Sequence, residues 1–100
     1  MPPNEPQYRL TPRARDDLLA IAEYTEARWG KDQRNAYLRE MEARFCWLAE
    51  NPALGRHRPD VKEGYYCYPQ GRHLIFYLIS DHTIDIIGVP HQQMDSEQYP

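Results

Sequence analysis

Four histidines and two cysteines are the side chains best suited to acid–base, nucleophilic or metal chemistry in this chain of 100 residues. His57, His73, His82 and His91 do not show metal-ligand spacing, and Cys46 and Cys67 form no CxxC pair. A Gly-rich phosphate loop, a GxSxG elbow and an HExxH helix are all missing from the sequence. His91, just before Met94-Asp95, is a candidate general base because an unperturbed imidazole titrates near neutrality. The competing reading, which we favour, is a strand-end histidine bonded to backbone.

Two further groups invite contact rather than catalysis. Tyr65, Tyr66, Tyr68 and Tyr77 cluster on what read as adjacent strands. Exposed aromatic sheets stack RNA bases, but they pair their rings with Arg and Lys, and only Arg72 is near in sequence. Core packing plus a protein interface suits these tyrosines better. Arg56, His57, Arg58 and Lys62 form a basic stretch, either a solvated loop or a contact for an acidic partner.

Charge distribution narrows the field. The net charge is −3, and all twelve Lys and Arg lie between Arg9 and Arg72. Beyond them come Asp81, Asp85, Asp95 and Glu97 and no cation. Nucleic-acid binders gather cations on the working face, so a face built from the C-terminal strands is no phosphate-binding surface. No apolar run approaches the ~20 residues that cross a bilayer, and MPPNEPQYRL has no apolar signal core. We expect a cytoplasmic protein with no membrane partner, no cofactor and no metal. Its two cysteines, both in apolar segments, are expected as buried free thiols.

The elements that must position these residues follow from pattern. Residues 1–6 hold three prolines and read as a disordered leader; residues 7–97 read as one domain. Gln7 to Leu10 is a short extended segment. Thr11-Pro12 starts a helix, with Thr as N-cap and Pro at the first position. Ala14, Leu18, Ile21, Ala22, Thr25 and Trp29 then recur at steps of three and four, one helical face. Gly30 ends this helix as a left-handed cap candidate. A second helix from Lys31 or Asp32 carries Leu38, Met41, Phe45, Leu48 and Ala49 and stops at Asn51-Pro52. So short a joint predicts an antiparallel helical hairpin. Residues 52–62 read as a loop. Strands are expected over Gly64–Pro69, Arg72–Ile79 and Thr83–Val89, joined by tight turns into an antiparallel meander. The hairpin is the only cover for that sheet, so the fold class is a two-layer α+β domain, β-α-α-β-β-β.

These residues also carry a resemblance. Tyr24-Thr25, Trp29-Gly30 with Gln33, Tyr37, Leu48-Ala49-Glu50-Asn51-Pro52, Gly55-Arg56, Glu63-Gly64-Tyr65, Tyr68-Pro69-Gln70-Gly71 with His73-Leu74-Ile75-Phe76-Tyr77, and His91 with Met94-Asp95 stand in order from about residue 8 to 95. Together they resemble a ParE-type toxin of the RelE/ParE superfamily. The resemblance implies the hairpin-on-sheet fold, and a toxin that inhibits DNA gyrase by binding it, without a catalytic constellation of its own. It implies neutralisation by a ParD-type antitoxin in a hetero-oligomer, with no direct nucleic-acid partner. Arg13, Arg28, Arg34, Arg56, Arg58 and Arg72 are then candidate antitoxin contacts. Tyr65, Tyr66, Tyr68, His91, Met94 and Asp95 are candidate target contacts. In three places the chain departs from the family's pattern: Tyr66, Leu78 and Gly88 stand where the family often has Arg, and Pro90 should end the last strand early. These departures admit an attenuated or non-toxic antitoxin-binding module as an alternative. A RelE-like mRNA-cleaving toxin is the other alternative, disfavoured by the missing cations.

Overall fold

Thr11 organises the start of the fold. In the computed structural model, which describes residues 7–93, its hydroxyl accepts from Ala14 N at 3.1 Å and so caps helix α1 (Pro12–Trp29). The same hydroxyl lies 3.0 Å from the carbonyls of Ile86 and Ile87, tying the helix start to a strand far along the chain. Thr11→Ala should therefore cost about 1–2 kcal/mol, as a lost cap does, and a denaturant titration checks this against the wild type.

Gly30 alone joins α1 to α2 (Lys31–Glu50). Its N–H donates to Glu26 O and its carbonyl accepts from Arg34 N, so one residue closes the first helix and opens the second. Its φ of 90° is positive as expected, but ψ is 174°, extended rather than left-handed helical. Glycine tolerates that combination because it has no Cβ. Asn51 and Pro52 end α2, followed by a 3-10 turn over Pro52–Leu54.

Five strands form one sheet: β1 (Gln7–Leu10), β2 (Arg56–His57), β3 (Tyr66–Gln70), β4 (His73–Ile79) and β5 (Thr83–Gly88), in spatial order β1-β5-β4-β3-β2. The meander β3-β4-β5 is antiparallel as expected, and β1 adds to β5 in parallel. Residues 52–62 are not wholly a loop: Arg56 and His57 pair with Cys67 and Tyr66 and make the far edge of the sheet. β3 begins at Tyr66 rather than Gly64, because Tyr65 N and O are engaged by the 58–62 segment instead. β5 ends at Gly88, two residues before Pro90, which has no N–H to extend the ladder.

Strand alternation sorts the core into two faces. Ile75, Tyr77, Ile84, Ile86 and Val89 pack with Ala14, Ile21, Met41, Phe45 and Leu48 of the hairpin. Tyr65, Cys67 and Phe76 form a second cluster, flanked by Val61, Leu74, Leu78 and Ile87. Two expected burials fail. Trp29, the last residue of α1, is 46% exposed although it lies on the helical stripe. Cys46 is exposed, while Cys67 is buried, and the two are not joined in a disulfide. Among the described residues no helix is long and apolar enough to cross a membrane, and no group of three His, Cys, Asp or Glu could hold a metal ion.

Candidate functional site: the groove beside the first helix

Strand β1 is only four residues long, so the end of β5 and the segment after it run beside α1 instead of another strand. Val89 N donates to the Asp17 carboxylate at 2.8 Å, which holds helix and segment at a fixed spacing. Between them lies an open groove of about 600 Å³, floored by Ile21, Val89 and Pro90 and bordered by Tyr24, His73 and His91. It runs into a smaller pocket of about 190 Å³ lined by Tyr24, Trp29, Gln33, Tyr37, Arg72 and His91, among others.

The polar walls are tightly bonded. Tyr37 takes the central place: its hydroxyl lies 2.6 Å from His73 Nδ1 and accepts from Arg72 N at 2.9 Å. Gly71, at φ 59°, turns β3 into β4 directly against that hydroxyl. Burial pushes the Tyr37 phenol pKa up. The hydroxyl therefore stays protonated, with the Gln70 carbonyl as a further acceptor at 3.4 Å. His73 itself is pushed down to about 4, first by burial and then by the neighbouring His91. The two imidazoles meet edge to face at 5.3 Å, and β4 and the tail form a bridge at these residues. His91 Nδ1 accepts from Gln93 N at 3.1 Å, the backbone-bonded role favoured for it.

The rim is cationic and aromatic. Arg72 lies over the Trp29 ring at 4.9 Å. Arg28 lies over the same ring at 5.5 Å and over Tyr24 at 5.4 Å. Tyr24 and Trp29 themselves meet edge on at 6.1 Å.

The structure treats the predicted contact residues unequally. Arg28 and Arg72 come together on Trp29. Arg34 is nearby but pairs with Glu26 at 2.5 Å. Arg58 is turned inward onto Asp60 at 2.7 Å with little exposure, and serves the 58–65 turn rather than a surface. Arg56 is exposed on the edge strand β2, and Arg13 is exposed in the first turn of α1. Tyr65 is buried at 6% exposure, its ring tilted on Phe76. Tyr66 stacks between His57 and Tyr77, and Tyr68 lies against Trp47, so both are half-buried. His91 borders the groove, whereas Met94 and Asp95 lie outside the described residues. Tyr24, Trp29 and Tyr37 were missed as site residues. Their signal was available: each belongs to a stretch that carried the family resemblance, and all three converge on one pocket.

Comparison with known proteins agrees with this architecture. The family profile described as ParE toxin of type II toxin-antitoxin system, parDE, matches residues 8–96. Toxin ParE1 of Mycobacterium tuberculosis (strain ATCC 25618 / H37Rv) is 38% identical over 93 residues, covering 92% of this chain and 95% of that protein. Toxin ParE1 of Caulobacter vibrioides is 37% identical over 92 residues, with the same coverages. A solved structure titled "Chromosomal ParDE TA system from P. aeruginosa" superposes with a TM-score of 0.73 at 16% identity, over 88% of this chain and 97% of that one, and shows the same fold. With profile and relatives spanning nearly its whole length, the chain belongs to the ParE toxin family of type II toxin–antitoxin systems.

Proposed function

We propose that this chain is a toxin that arrests growth by binding DNA gyrase and is neutralised by a ParD-type antitoxin bound as a hetero-oligomer. Family membership supports the toxin role, and the open groove supports an activity exerted through protein contacts. One observation carries the non-enzymatic part of this reading. Tyr37, His73 and His91, which meet at the pocket, carry structural hydrogen bonds: Tyr37 on His73 Nδ1 and Arg72 N, His91 Nδ1 on Gln93 N. These bonds join β4, the helix and the tail, and His73, pushed down to about 4, is a weak base near pH 7.

The experiment is a gyrase assay with purified chain, following supercoiling and trapped cleaved DNA. The expected result is loss of supercoiling with cleaved DNA accumulating, reversed by antitoxin, and intact transcripts in a parallel RNA incubation. Cut RNA would instead support the RNA-cleaving reading.

A second reading, an antitoxin-binding module that is not toxic, has its own observation. Tyr66 is stacked between His57 and Tyr77, and Leu78 lies under the turn at Gly64, so two positions where the family often carries Arg are given to packing. Tight antitoxin binding with no effect on gyrase at saturating protein would establish that reading.

A further inference from the structure

Two arginines on one indole are unusual when no acid accompanies them. Arg28 and Arg72 both lie within 5.5 Å of the Trp29 ring centre. Among the described residues neither forms an ion pair, whereas Arg9, Arg34 and Arg58 each have a carboxylate. Both cations lean on the one ring, and ring quadrupoles are the only neutralising partners that either has among the described residues. A carboxylate reaching the edge of this ring would gain the charge-assisted hydrogen bonds that both lack. The His73 ring beside them stays neutral near pH 7, so it adds no competing charge.

We propose that Arg28, Trp29 and Arg72 form a clamp for an acidic side chain of the antitoxin, with the adjoining groove taking an apolar residue next to it. This rests on the toxin–antitoxin reading above and narrows six candidate arginines to two. The occupant follows from the surroundings. The groove floor of Ile21, Val89 and Pro90 is apolar and receives a hydrocarbon side chain. Val89 N is already bonded to Asp17 and Pro90 has no N–H, so neither of these floor residues offers a donor for strand addition. Side-chain contact is what the floor favours. A nucleic-acid strand fits poorly: it presents a charge at every nucleotide and needs a train of cations, while the groove and its adjoining pocket are lined by one arginine, Arg72, with Asp17 along the side. The chain's own net charge of −3 also opposes a polyanion.

The test is titration calorimetry of the full chain with its purified antitoxin, at low and high salt. Arg28→Gln and Arg72→Gln should each weaken binding roughly tenfold, and the double variant roughly 30- to 100-fold, the scale of lost charge-assisted bonds. Both side chains are on the surface, so circular dichroism melts should stay at the wild-type temperature; Arg15→Gln, elsewhere on α1, should leave affinity unchanged. Arg72→Glu should then be rescued by one Asp→Lys or Glu→Lys change in a scan of the antitoxin, which would identify the clamped residue. Wild-type binding retained within about twofold in the double variant overturns the clamp and leaves the toxin–antitoxin reading standing. If the wild-type chain fails to bind antitoxin at all, that reading falls, and the clamp with it. Displacement of antitoxin by a single-stranded RNA oligonucleotide, with steep salt dependence and loss in the double variant, overturns the peptide clamp in favour of an RNA site.

Discussion

Gly55→Ala should destabilise the domain by about 3 kcal/mol, combining overpacking with a broken buried hydrogen bond. For a chain this size that lowers Tm by roughly 15 °C. Gly55 has an ordinary φ of −73°, so backbone freedom is not what this position requires. Its requirement is closeness. Gly55 N donates to the Tyr77 hydroxyl at 3.0 Å, and the same hydroxyl donates to Pro52 O at 2.7 Å. A Cβ at Gly55 would overlap that hydroxyl and come within 2.9 Å of ring carbons of Tyr77. Tyr77 is fully buried between the hairpin and the sheet and cannot move aside. Tyr77→Phe removes the two hydrogen bonds without the clash and should cost less, about 2 kcal/mol. In the double variant the steric part should persist because the ring remains, while the hydrogen-bond part should not be counted twice. A double-mutant cycle by chemical denaturation reads that coupling. Both variants should also loosen Arg56 and His57, which follow directly and make the sheet edge, visible as faster amide exchange at β2.

Acid should weaken the fold through His73. Its pKa is depressed from 6.5 to about 4 in the folded chain, first by burial and then by His91 beside it, with Arg72 adding and Asp17 opposing. As pH falls below 6.5 the unfolded chain takes up this proton before the folded chain does. The stabilisation is therefore complete above about pH 6.5 and is lost progressively towards pH 4. The full shift corresponds to at most about 3 kcal/mol, and about 2 kcal/mol is expected once partial solvent contact is allowed for. His73→Gln should flatten the stability profile over that window, so the difference between variant and wild-type denaturation curves isolates this group from the carboxylates. A difference that does not change between pH 6.5 and 4 would show that His73 titrates normally in the folded chain. NMR titration of the ring carbons gives the same answer directly.

Much of the architecture was legible because it is written in local chemistry. Thr11-Pro12 can only begin a helix well, Gly30 can close one helix and open the next, and Asn51-Pro52 stops the second. Steps of three and four named the hairpin residues that became the core, Ala14, Ile21, Met41, Phe45 and Leu48. The meander was legible from its short turns, and the family from stretches spread over the whole chain.

Pairings between distant segments were not legible. That β1 joins β5 in parallel, or that Arg56 and His57 form an edge strand, depends on partners 76 and about ten residues away in sequence, for which no local pattern codes. The direction of individual side chains was equally hidden. Tyr65 and Tyr66 are neighbours in sequence, yet strand entry sends one into the outer cluster and the other against Tyr77. Arg28 and Arg58 are both arginines in candidate binding stretches, yet one lies on an exposed indole and the other folds back on Asp60. By itself the sequence determined both helices, the first strand, the three-strand meander, their order and the family. Only the tertiary structure decided that Tyr24, Trp29, Tyr37, Arg72, His73 and His91 share one pocket. They come from both helices, the β3–β4 turn, the start of β4 and the segment after β5, and what draws them together is the burial of the core beneath them rather than any affinity of their own.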